Sequence, residues 1–237
     1  MNTSFADIEK KENRKDLIIS ICVFLSGFSC FAQLYYFQPL LPDLAKDFIL
    51  SASESSFAIS FSTLGMVFGL FTTMFVADRI PRKKMIGTGL LSSSIFSVAA
   101  SFSPTFLPLI LLSAAKGFLL SGATSVSMAY IAEEVSSRNK GKIMGLYIAG
   151  NALGGMAGRV ISSWIGALYT WRIASVSIGL ICALFAILFL LFSPRSTNFM
   201  PRKESFHTLI IANLQLITSK ALIPFYLTGG LILGVFV

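Results

Sequence analysis

Two cations lie inside long runs of apolar residues, and they are the first candidates for chemistry. Lys116 and Arg159 have no acidic residue within fifteen positions on the N-terminal side. A charge at bilayer depth is costly unless it faces protein or a water-filled path, although a long side chain can also snorkel toward lipid headgroups. Polar residues recur around them with helical spacing. Ser26, Ser29, Gln33 and Tyr36 follow one another at intervals of three and four, as residues on one helical face do. Lys116, Thr124 and Ser127 share a second face, and Ser113 lies one turn before Lys116. Such faces can bind a polar solute or line a water path. Plain helix–helix hydrogen bonding is the equal alternative. All eleven acidic residues fall outside the apolar runs, so these runs hold no carboxylate that could carry a proton. Cys22, Cys30 and Cys182 are odd in number and lack ligand-like spacing. His207 is the single histidine, with no carboxylate or metal partner near it in sequence. No P-loop, catalytic Cys/His pair or metal cluster occurs. An enzyme is therefore not expected, nor a cofactor, nor a metal.

The elements that must position these residues are membrane helices. The chain of 237 residues is 54% hydrophobic and 13% charged, with a mean hydropathy of +0.77. Soluble domains carry roughly 25% charged residues. The apolar residues come in blocks near the length that spans a bilayer, roughly 20 residues. A helix is the spanning form that satisfies every backbone group within one segment. Six such blocks are predicted at 17–37, 57–77, 85–102, 106–132, 143–165 and 173–192, with a seventh over 221–237. Ser103-Pro104-Thr105 makes a tight turn between the third and fourth. The first block is too long for a signal-peptide core and runs on into further membrane segments.

Lysine and arginine set the orientation. Clusters precede the first block and follow the second, fourth and sixth, fifteen residues in all. The opposite side has Lys46 and Arg172. This bias places the N-terminus and the clustered loops in the cytoplasm. It also accounts for the net charge of +8 without a nucleic-acid partner, because no single basic stripe exists.

Three motifs carry a family resemblance. Met74-Phe-Val-Ala-Asp78-Arg79-Ile-Pro81-Arg82-Lys83-Lys84 sits between the second and third blocks. It resembles the major facilitator loop Gly-x-x-x-Asp-Arg-x-Gly-Arg-Lys at Asp78, Arg79, Arg82 and Lys83. Met74 and Pro81 replace the two glycines, and proline fixes φ and removes a donor, so the turn must differ. The fifth block holds Gly145, Gly150, Asn151, Gly154, Gly155, Gly158 and Arg159. This small-residue ridge suits close helix packing and resembles the family's antiporter signature, with Asn151 at a usual proline. With Met128-Ala-Tyr-Ile-Ala-Glu133-Glu134 and Gln38-Pro39-Leu-Leu-Pro42-Asp43, the chain is similar to the YnfM-like group of efflux-type major facilitators over its first half. The resemblance implies that the Asp78 loop braces one half of a carrier against the other. It implies that the first and fourth helices line a central path, with Gln33, Tyr36, Ser113, Lys116, Thr124 and Ser127 as pathway candidates. Lys116 stands near the place of a family arginine that this chain lacks; Ser113 occupies that position.

A weak internal echo accompanies the motifs. Gly27-Phe28 precedes Asp43 by the same interval as Gly117-Phe118 precedes Glu133. Its period of three helices matches an inverted repeat.

The expected architecture is an all-α membrane protein: an N-terminal cytoplasmic tail over 1–16, a six-helix major facilitator bundle over 17–192, a cytoplasmic linker over 193–220 and a truncated seventh helix over 221–237. The expected activity is secondary transport of a small molecule, in the efflux direction, by a fragment inactive alone. A half-size carrier working as a homodimer and a non-transporting membrane scaffold or regulatory partner are the alternatives. The expected partners are the lipid bilayer of a cell membrane, an unidentified small solute with protons as a candidate coupling ion, and either a second copy or a missing C-terminal half.

Overall fold

The computed structural model describes residues 5–201, 218–219 and 222–236. His207, Arg202, Lys203 and Lys220 lie outside the described residues. Two compact units are present, one through Met200 and one from Pro201 onward.

Among the described residues, the regular elements of the first unit are all helices. Helix α1 covers Phe5–Tyr35, followed in the connecting segment by the short α2 (Leu41–Asp47) and α3 (Ala52–Ser55). Then come α4 (Phe57–Val76), α5 (Arg82–Ser101), α6 (Phe106–Glu134), α7 (Lys140–Leu168) and α8 (Trp171–Phe192). The second unit contains α9 (Ile223–Phe236). The six long helices of the first unit match the six predicted blocks. Four stretches are long and apolar enough on their own to cross a membrane, at Lys10–Asp47, Ala52–Arg79, Phe106–Glu134 and Trp171–Phe192. Helices α5 and α7 have 20 and 29 residues, but serines dilute the first and glycines the second. At about 1.5 Å rise per residue both are long enough to span the core.

The structure adds two features to the sequence reading. The N-terminal segment, expected as a loose tail, continues α1 back to Phe5. At its junction with the first block, Asp16 accepts hydrogen bonds from Ser136 and Asn139, at 2.6 and 2.8 Å. The segment between the first two blocks contains α2 and α3. A capping box starts α3: Ser51 Oγ accepts from Glu54 N at 3.2 Å, and Glu54 Oε2 accepts from Ser51 N at 2.8 Å.

Packing falls into pairs. Helix α1 lies along α7, α4 lies along α6, and α5 packs on both α6 and α8. Glycines close the two main seams. Added methyls at Gly150, Gly154 and Gly158 of α7 would strike the α1 backbone at Phe24, Phe28 and Ala32. Added methyls at Gly65 of α4 and Gly117 of α6 would strike Ala114 and Ser62 across the other seam. Small residues let helices approach this closely where no hydrophobic force drives them together. The first and fifth long helices pair as the fourth and second do, which is the pattern of two three-helix units related by inversion. Gly27 and Gly117, the echoed glycines, face α7 and α4 respectively.

Helix α5 shows how a polar sequence survives inside the bundle. Ser93, Ser94, Ser97 and Ser101 are buried. Each donates to a carbonyl three or four residues earlier, so no hydroxyl hydrogen is stranded.

Candidate functional site

Three loci gather the polar side chains. The first is the basic end of the bundle, where Pro81 caps α5. The cap position uses no helical N–H from Pro81, so proline is accommodated there without breaking the helix. Asp78 sits in a short turn over Ala77–Arg79, and Ile80 is extended. Arg82, at the first turn of α5, folds back over this corner. It donates to Ala77 O at 2.6 Å, Asp78 Oδ1 at 2.9 Å and Glu133 Oε1 at 3.1 and 3.2 Å. Burial alone would lower its basicity; the bonds to Asp78 and Glu133 and their charges outweigh burial and raise it. Arg79 is exposed. Lys83 donates from its backbone to Ser196 Oγ at 3.0 Å and from Nζ to Ser193 O. Burial holds its ammonium below the ordinary lysine range, with Cys22 opposing and Arg195 adding to the effect.

The same end grips the start of the predicted linker. Tyr130 OH meets Ser193 Oγ and Pro194 O, both at 2.8 Å. Glu134 accepts from Lys15 Nζ at 2.9 Å and from Thr197 Oγ1 and Asn198 N, both at 2.8 Å. Asn198 Nδ2 donates to Glu133 O, and the Arg82 guanidinium lies 5.0 Å over the Phe199 ring. Sequence patterning had no term for Glu133 and Glu134 as partners of Arg82 and Lys15. Their signal was present as the first acids after 54 residues without one, at the end of an apolar block.

The second locus is interior. Gln33, Tyr36, Ser113, Lys116 and Ser127 are all buried within the first unit, and Thr124 is half-buried. Lys116 is 1% exposed. Its Nζ lies 4.5 Å from the Tyr36 ring centroid and 4.9 Å from that of Phe37. Tyr36 OH pairs with Ser175 Oγ of α8 at 2.9 Å, and Gln33 Oε1 accepts from Ser97 Oγ of α5 at 3.1 Å. The polar faces of α1 and α6 thus meet inside the bundle. Thr124 O lies 3.5 Å from Tyr147 OH, with Ser127 and Asn151 beside the same hydroxyl. Asn151 Oδ1 points at Gly27 on α1.

The third locus is the opposite end. Arg159 is half-buried. Its Nε donates to Gln38 Oε1, and its guanidinium stacks 4.5 Å over Tyr35. Beside it, Asp47 Oδ2 accepts from Trp171 Nε1 at 2.9 Å and Arg172 Nη2 at 3.0 Å, while Arg172 Nη1 donates to Ser101 O and Ser103 O. Within the glycine ridge, Gly150, Gly154 and Gly158 form the α1 contact; Gly155 makes only ordinary contact with Tyr35, and Gly145 faces open space. Among the described residues no cluster of three or more His, Cys, Asp or Glu could hold a metal ion.

Comparison with known proteins bears on this arrangement. The Major Facilitator Superfamily model matches residues 20–237. An uncharacterized transporter of Buchnera aphidicola subsp. Schizaphis graminum is 35% identical over 97% of this chain and 56% of its own length. The inner membrane transport protein YnfM of Escherichia coli (strain K12) is 35% identical over 92% of this chain and 52% of its own. The proton:xylose symporter XylE, solved with 6-bromo-6-deoxy-D-glucose, shares the fold, with a TM-score of 0.71 at 16% identity over 89% of this chain and 51% of that one. The chain spans about half the length of the curated relatives it matches.

Proposed function

The chain belongs to the Major Facilitator Superfamily, and on that premise we propose that it forms one half of a secondary carrier that exports a small solute by alternating access. The observation that carries this proposal is the pairing of α1 with α7 and of α4 with α6. It supports a bundle of two inverted three-helix units, in which α5 and α7 cross the membrane with the four more apolar helices. The Arg82 junction with Asp78 and Glu133 supports a brace at the cytoplasmic end. The run from Gly145 to Arg159 supports export, through its resemblance to an antiporter signature.

A single bundle gives one wall of a central path. Alternating access rocks one bundle against another around a site between them. The relatives are about twice as long, so the opposing wall corresponds to their second half. We expect this chain alone to show no saturable solute flux in liposomes, and flux to require a second bundle. Candidate solutes are screened by counterflow in vesicles with and without a proton gradient. Saturable flux from the monomeric chain alone would defeat the proposal of inactivity. Flux accompanied by a cross-linked dimer would replace the missing half with a second copy.

A further inference from the structure

Lys116 is a cation enclosed by its own bundle. It is buried in a unit that contains no second half, so it is not merely one wall of a path between bundles. The six predicted membrane blocks contain no aspartate or glutamate, and Lys116 Nζ has no hydrogen-bond partner among the described residues. Its neighbours are the faces of the Tyr36 and Phe37 rings. These attract an ammonium but accept no conventional hydrogen bond.

Other buried groups on the adjoining helices also lack partners among the described residues. They are Ser29 Oγ and Gln33 Nε2 on α1, Ser62 Oγ on α4 and Ser113 Oγ on α6. Gln33 stands one turn before Tyr36; its Oε1 accepts from Ser97, and its Nε2 donors have no partner among the described residues. Ser113 stands one turn before Lys116. Ser62 lies against Gly117, the residue after Lys116. Lysine ammonium and the glutamine NH₂ donate only, and serine hydroxyls can donate. Buried polar groups in native proteins are satisfied in the great majority of cases. Here the unpartnered set on α1, α4 and α6 comprises an ammonium, an amide NH₂ and serine hydroxyls, each able to donate.

We propose that the α1–α6 seam is an internal site for a small monovalent anion, held by Lys116 Nζ with Gln33 Nε2 and Ser113 Oγ. Halide and carboxylate share the required chemistry: one negative charge and acceptor lone pairs. The site itself does not depend on carriage. Only its assignment to the carboxylate of a carried solute rests on the proposed function.

The test is chloride binding to the purified full chain in neutral detergent, read by ³⁵Cl NMR line broadening. A saturable component is expected in the unaltered protein. Lys116→Met removes the charge while keeping an unbranched side chain, and it should weaken that component by about tenfold or more. Gln33→Leu and Ser113→Ala should each weaken it by a smaller factor, which keeps the test valid if Lys116→Met folds poorly. Circular dichroism and a single size-exclusion peak establish folding. Displacement of chloride by acetate supports the site and assigns it to carboxylates; chloride binding that acetate does not displace supports it as a halide site. Equal broadening in the unaltered protein and all three folded variants overturns the proposal, because surface cations would account for it. Absence of any saturable component overturns it too. Neither result bears on flux, so the carrier proposal stands or falls separately.

Discussion

Arg82 is one side chain serving three acceptors on two elements, and lysine cannot imitate it. The planar fork reaches Ala77 O, Asp78 and Glu133 at once, whereas an ammonium is a single point of charge. Arg82→Lys should destabilise the chain by about 1–2 kcal/mol, the scale of one or two charge-assisted hydrogen bonds at a partly buried site. Fluorescence-detected size exclusion after heating measures it, and an unchanged midpoint would show that the junction contributes nothing to stability. Ile49 makes the opposite case. It has φ of 55° and is 93% exposed, so a β-branched residue occupies the left-handed region with little packing to compensate. Ile49→Asn should stabilise by about 1 kcal/mol, because asparagine tolerates that conformation. A lower midpoint for the variant would show that Ile49 makes a contact worth more than its strain. These two residues also mark the limits of sequence reading at this scale. Asp78 and Arg82 were legible as members of one short motif; their contact depends on the turn over Ala77–Arg79 and the extended Ile80. The Glu133 partner was not, because it lies 51 residues away and no local period points to it.

At the scale of elements, the glycines of α6 and α7 divide by what faces them. Gly117→Ala would press a methyl into the Ser62 carbonyl and should cost about 1–3 kcal/mol, since backbone cannot step aside as a flexible side chain can. Gly145→Ala meets open space on α7 and should be neutral or stabilising by up to about 1 kcal/mol through helix propensity. The two midpoints, compared in one heating series, decide whether the seam is backbone-to-backbone; equal effects would argue against it. The ridge was visible in the sequence as glycines spaced by four at Gly150, Gly154 and Gly158. Spacing alone does not say which face a neighbouring helix covers: Gly155 makes ordinary contact with Tyr35 and Phe31, whereas Gly145 meets open space. The polar faces of α1 and α6 behaved similarly. Their period favoured a face turned from lipid without choosing its partner, and Lys116 meets Tyr36. That they meet within one bundle depends on α5 and α8 supplying Ser97 and Ser175, which no single-helix period contains. The linker was read as a polar cytoplasmic connection. Its first residues, Ser193–Phe199, are tied down because the acids and Tyr130 at the end of α6 supply partners.

At the scale of the molecule, the bundle has two polar ends with different charge, and this difference predicts its orientation. One end carries Lys15, Arg82, Lys83 and Arg195; the other carries Lys46 and Arg172. Juxtamembrane lysine and arginine favour the cytoplasmic side, so Lys46 should face outward and Lys84 inward. Both side chains are exposed, which makes them fair positions for single cysteines. The three native cysteines are buried in the bundle, so a membrane-impermeant maleimide should leave them unmodified in intact cells. Lys46→Cys should therefore label from outside, and Lys84→Cys should label only after the membrane is opened. The unaltered chain supplies the background, and detergent-solubilised Lys84→Cys shows that the position itself reacts. Labelling of Lys84→Cys but not Lys46→Cys in sealed cells would invert the bundle. It would then place the Arg82 brace and the gripped linker outside, and a brace that closes the cytoplasmic end of a carrier could no longer be assigned to Asp78, Arg82 and Glu133.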